Sequence, residues 1–214
     1  MGWARGPRAA NGQGDSVGRF FLRALLWFAL ALAIWYALRG FFTAPAAWLA
    51  GQAMQVVFSW VIGAEPEGHS LVLLTRLRVF DAARGLGELA PQANLLSYAY
   101  GTPLLAALLL AARARHAILK IAAGSLALVP FQAWGICFAW LVQVVQAATV
   151  QPQTGFGPWQ ANAIAAGYQL GFLILPTLAP VAVWLVLDHT LLRRFMAEDA
   201  LSDALAGQEM PPPR

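Results

Sequence analysis

Few side chains in this sequence could do covalent or metal chemistry, and they are scattered. The single cysteine, Cys137, lies in the apolar run FQAWGICFAW. A nucleophilic thiol needs a histidine or another cation beside it to form thiolate. His116 starts the same predicted helix, about 30 Å away by helical rise. His69 follows Glu65 and Glu67 in GAEPEGHS, a spacing that matches no metal-ligand pattern and reads as a solvated loop. Asp188 and His189 precede LLRR, where interfacial snorkelling accounts for them. One cysteine permits neither an internal disulfide nor a cysteine metal cluster. No phosphate loop, HExxH motif or nucleophile elbow is present. No catalytic, cofactor or metal residue is therefore assigned, and no cofactor is expected.

A different set is more informative: carboxamides, phenols and hydroxyls placed inside apolar runs. Asn94, Ser97, Tyr98 and Gly101 follow i, i+3, i+4 and i+7, which puts them on one helical face. Gln132 and Gln143 lie about three turns apart on the next apolar run, with Gln146 beside them. Asn162 and Gln169 are two turns apart on a third, flanked by Tyr168. The chemistry available to such groups is hydrogen bonding. They either fasten helices to one another or line a polar cleft for a guest.

The elements that must position them are membrane helices. Of 214 residues, 59% are hydrophobic and 11% charged, far below the quarter or so usual for a soluble domain. Several apolar runs reach the roughly 20 residues that cross a bilayer. They are continuous rather than alternating, so helices are expected and not a barrel. The expected fold is an all-α integral membrane protein with four transmembrane helices, at about 20–38, 93–112, 117–150 and 159–192. Pro103 is expected to kink the second.

Basic residues set the direction. Arg5, Arg8, Arg19 and Arg23 flank the first span, Arg113, Arg115 and Lys120 lie between the second and third, and Arg193 and Arg194 follow the fourth. The positive-inside rule makes these flanks cytoplasmic. Both termini are then inside, and the net charge of +4 serves topology, with no nucleic-acid partner. Residues 1–18 read as a disordered cytoplasmic arm and 195–214 as a disordered tail. The first span reads as an uncleaved anchor, because it ends in Trp35 and Tyr36 instead of small residues.

Residues 39–92 form an extracytoplasmic cap in this scheme. Within it, Pro45–Gly63 is apolar with a stripe of Gln52, Gln55 and Ser59, which suits an amphipathic helix in the outer interface or packed on the bundle. A fifth span there would move Arg113, Arg115 and Lys120 outside. TRLRV, Thr75 to Val79, allows a short strand. With this orientation Asn94, Ser97, Tyr98, Gln132, Gln143, Gln146, Asn162, Tyr168 and Gln169 gather toward the outer leaflet. Spacing alone favours helix–helix fastening for them, and the sharper reading is a candidate polar cleft that opens toward the outside.

The segments NLLSYAYGTPLLAALLLA, PFQAWGICF and AAGYQLGFLILPTLAPV resemble the exosortase-H-associated membrane proteins of Gram-negative bacteria. The similarity extends from FFLRALLWFALALAIWYAL through GHSLVLLTRL to the fourth span. The resemblance implies an inner-membrane accessory to an exosortase, an intramembrane cysteine transpeptidase that processes C-terminal sorting signals. Exosortases use a Cys, an Arg and a His that this chain does not match, so no catalytic residue carries over. LPTLAPVAVWLVLDHTLLRR has the order of such a sorting signal, but more membrane helix precedes it and a tail follows, so it is read as coincidence. The expected function is non-enzymatic. It is binding of the exosortase or of its substrate's membrane segment, in contact with membrane lipids. The alternative is a small transporter or lipid-handling protein, which the blank run LLAALLLAA does not favour.

Overall fold

The computed structural model describes residues 11–81 and 85–188. The chain is mostly helical, 72%, with a small sheet. Helix α1 (Asn11–Ala37) is followed by a break at Leu38 and then α2 (Arg39–Val57). Five short strands come next: β1 (Val61–Glu67), β2 (Ser70–Thr75), β3 (Arg78–Asp81), β4 (Gly85–Glu88) and β5 (Gln92–Asn94). The helices resume with α3 (Leu96–Ala99), α4 (Gly101–Ala111) and α5 (Ala117–Gln146). A 3-10 turn (Ala148–Val150) and α6 (Gln151–Thr154) lead to α7 (Pro158–Gln169), a π-helical segment (Leu170–Ile174) and α8 (Leu175–Leu187).

Three helical stretches are long and apolar enough to cross a membrane: Gly18–Ala37, Ala117–Gln146 and Pro158–Leu187. The expected second span is shorter. Leu96–Ala111 is an apolar helical stretch below spanning length, because residues 92–94 are spent on a strand and Tyr100 separates α3 from α4. The helix is interrupted at Tyr100, three residues before Pro103. Pro103 lies in the first turn of α4, where its missing N–H has no helical acceptor. The third span ends at Gln146, before the expected Val150. Helix α1 begins at Asn11, inside the stretch expected to be a disordered arm. Residues 1–10, His189, Arg193, Arg194 and the tail 195–214 lie outside the described residues.

The expected strand over TRLRV is split. Thr75 ends β2 and Arg78 begins β3. Thr75 Oγ1 donates to the Leu89 carbonyl at 2.6 Å and accepts the Leu77 N–H at 3.3 Å. That local bonding competes with the ladder. Two sheets result, β1-β2-β5 and β3-β4, all pairings antiparallel. Strands β1 and β2 join through Gly68-His69, and Gly68 takes the positive φ of +61° that a tight hairpin requires.

One core joins the larger sheet to the helices. Ala46, Ala50 and Met54 of α2, Leu71 and Leu73 of β2, Ala93, Tyr98, and Ala133, Ile136, Ala139 and Trp140 of α5 are all buried in it. A second cluster, Leu105, Leu109, Leu128 and Ala179, holds α4, α5 and α8 together. Helix α1 packs chiefly on α4 and leaves Phe21, Leu25 and Ile34 exposed, as a lipid-facing helix would. Helix α2 packs on α5 and β1. Gln52, Gln55 and the bulky Phe41, Trp48 and Val56 all stay exposed on it.

Trp140 is fully buried and donates its indole N–H to the Leu71 carbonyl at 3.0 Å. Trp140→Phe removes that hydrogen bond and, because phenyl is smaller than indole, leaves a small void. It should cost about 1–3 kcal/mol, read as a lower denaturation midpoint of the purified protein in detergent. Trp48→Phe, at an exposed position, should leave the midpoint unchanged.

Candidate functional site

The nine polar residues expected to form one cleft separate into different settings. Asn94 is exposed in β5, and its Oδ1 accepts the Leu96 N–H at 3.0 Å, starting the short helix α3. Ser97 is half-buried and Gln146 exposed. Neither is drawn into a cluster. Asn162 and Gln169 do share a face of α7, but both are exposed, turned away from α5. The cleft does not close around these residues, because the face of α7 that meets α5 is built from Ile164 and Gly167.

Gln132 and Tyr98 are the buried pair. The Gln132 amide donates to Thr102 Oγ1 at 3.1 Å across α5 and α4, while its own Oε1 has no partner among the described residues. The Tyr98 ring lies against Gly135, where a Cβ would overlap Tyr98 Cδ1. Phe172 meets Tyr98 edge-on at 6.2 Å and stacks on Tyr168 at 5.7 Å. A Cβ at Gly171 would come 2.9 Å from Gly135 Cα, so these two glycines let α5 and the π segment touch through backbone. The void left between α4, α5 and α8 beside Gln132 is about 10 Å³, room for about one water.

Gln143 does something else. Its amide donates to the Gln92 carbonyl at 2.7 Å, and its Oε1 accepts the Gln92 N–H at 3.1 Å. The side chain thus imitates a neighbouring strand and closes the β5 edge. Gln153 repeats this on β3, giving to the Arg78 carbonyl at 2.8 Å and accepting the Arg78 N–H at 2.9 Å. Gln55 donates to the Ile62 carbonyl at 2.8 Å. Sequence reasoning missed Gln153 and Trp140. Their signal, an indole inside an apolar run and an amide in the polar turn QPQTG, points to a partner only once a strand is known to be near.

The charged and thiol groups are apart. Cys137 Sγ faces the Ala50 carbonyl at 3.7 Å, between α5 and α2. Lys120 pairs with the buried Asp188 at 3.5 Å, joining the first turn of α5 to the end of α8, at the opposite end from the sheet. No group of three His, Cys, Asp or Glu residues able to hold a metal occurs among the described residues.

Several open surfaces remain, one of them a pocket of about 470 Å³ beside Arg39, Thr43 and His69. A cleft of about 580 Å³ lies between α2 and the β1-β2 hairpin, lined by Thr43, Trp48, Gln52, Gln55, Glu65 and Leu71 among others. An almost wholly apolar groove of about 490 Å³ runs between α5 and α7, walled by Trp134, Phe138, Phe156, Trp159, Ala163 and Leu170. At its floor the Trp134 indole donates to the Gly167 carbonyl at 3.1 Å. A family model described as exosortase H-associated membrane protein matches residues 14–191. No curated protein and no solved structure matches the chain.

Two substitutions separate packing from hydrogen bonding here. Gly135→Ala must displace the Tyr98 ring and should cost about 1–3 kcal/mol. Gln132→Met conserves volume, and the replaced amide already carries an unpaired oxygen, so its cost should stay below about 1.5 kcal/mol. The denaturation midpoints of the two variants in one detergent check the order.

Proposed function

The chain belongs to the exosortase H-associated membrane protein family, and on that premise we propose that it is a non-enzymatic accessory that binds the exosortase or its substrate's membrane segment. The observation that carries this reading is the contrast between a closed interior and open faces. The polar residues between α4 and α5 surround room for about one water. A solute path would need far more, which weighs against the small transporter. The clefts of about 580 and 490 Å³ lie on the outside of the bundle instead, where a partner chain can reach them.

Topology follows from the same premise. A sheet backbone cannot face lipid at depth, so the sheet end lies outside the hydrocarbon. Arg113, Arg115 and Lys120 stand at the other end of α4 and α5, which the positive-inside rule makes cytoplasmic. The sheet and the α2 cleft then face outward from the inner membrane of a Gram-negative cell, with both termini inside. Cys137, packed against a backbone carbonyl between two helices, has the surroundings of a structural thiol.

Two outcomes follow. Co-expressed exosortase H should be retained on the tagged chain after mild detergent extraction, and removal of the chain should impair sorting. If the enzyme and its substrates both wash away and sorting is intact, the reading fails. Cys137→Ala should support sorting at the unmodified level in a complementation assay; loss of sorting with normal protein abundance would revive a cysteine enzyme.

A further inference from the structure

The α7 segment is apolar enough to belong to a membrane span, within Pro158–Leu187, yet it turns two carboxamides outward. Asn162 and Gln169 are exposed, and neither makes a side-chain hydrogen bond among the described residues. Trp159 is exposed near the start of α7, and its amphipathic ring suits the membrane interface. By helical rise, Gln169 lies roughly 16 Å further along the helix than Pro158 and Asn162 roughly 6 Å. The hydrocarbon core is about 30 Å thick, so Gln169 reaches near its middle. Lipid chains offer an amide no partner there.

The surrounding surface says what shape would cover them. Asn162, Ala166 and Gln169 follow i, i+4 and i+7, which makes one stripe down the helix. Ala163 and Leu170 form the adjacent stripe and the wall of the apolar groove against Trp134 and Phe138. Alanines at the centre admit close approach of another helix. Directly below, the helix widens into the π segment Leu170–Ile174. Pro176, lacking an N–H, stands just beyond it at the start of α8.

We propose that this face of α7, with Asn162 and Gln169 as its polar anchors, docks a transmembrane helix of the exosortase that carries hydrogen-bonding side chains of its own. The inference rests on the accessory reading above and chooses within it. A wholly apolar helix would leave both carboxamides unpaired, whereas a polar-bearing helix pairs them and fills the groove beside them. The docking is side by side within the bilayer, and the α2 cleft is left free.

The test places a photoreactive amino acid at position 162 or 169 of the full-length chain, in membranes that also contain exosortase H. Positions 178 and 186, exposed on α8, serve as controls. Adducts with the exosortase at 162 and 169, and not at 178 or 186, are expected. The double variant Asn162→Leu with Gln169→Leu should retain roughly tenfold less exosortase in mild detergent, the effect of losing two interhelical hydrogen bonds. Its own denaturation midpoint should not fall. Adducts only with lipid, with a second copy of this chain, with its own terminal segments or with the substrate would overturn the proposal. If the enzyme co-purifies with the unmodified chain but cross-links nowhere on α7, this face is wrong and the accessory reading stands. If α7 cross-links a different membrane protein and the exosortase never co-purifies, the accessory reading falls with it.

Discussion

The structure depends on how strand backbone is attached to a membrane helix. A three-stranded sheet with open edges would leave polar groups unpaired beside an apolar bundle. Helix α5 meets that demand with side chains. Gln143 takes both backbone groups of Gln92 on the edge strand β5, and Trp140 adds an anchor on the Leu71 carbonyl of the central strand β2. These contacts set where β5 runs, and β5 leads directly into α3 and the buried Tyr98. The position of the Tyr98 ring on Gly135 is thus linked to the sheet two helical turns further along α5. Sheet, α2 and bundle share one core for this reason, and the segment between the first two apolar stretches is no separate domain.

The long apolar stretches were legible because hydropathy reports burial in either lipid or protein. The sheet was not. In β2, Leu71, Val72 and Leu73 are all buried, so the alternation that marks a half-exposed strand is absent, and a short buried run looks alike as helix or strand. Missing the sheet misassigned Gln143, since its spacing from Gln132 was correct but its partner was a strand not yet known. Asn162 and Gln169 show the complementary limit. Periodicity tells which residues share a face. It does not tell whether that face meets a neighbour or the outside, which here depended on Gly167 admitting the Phe138 ring.

Hydrogen bonds and close packing divide the interior between them. Polar fastening is confined to a few contacts, such as Gln132 with Thr102. Elsewhere the helices approach through glycine: Gly101 beside the Pro176 carbonyl, Gly124 against Leu105, Gly135 under Tyr98, and Gly171 on Gly135. In a bilayer, where apolar association between helices gains nothing from water, such approaches supply dispersion contact that bulkier residues would prevent. The resulting interior is specific in shape and has little room to open.

Helix α5 has a further consequence through its length. Its 30 residues extend about 45 Å, against a hydrocarbon core of about 30 Å. Its Lys120 end is tied to Asp188 and its Gln143 end to the sheet. The helix is therefore a post of fixed height between that ion pair and the sheet. One added or deleted helical turn in α5 would raise or lower that platform by about 5.4 Å.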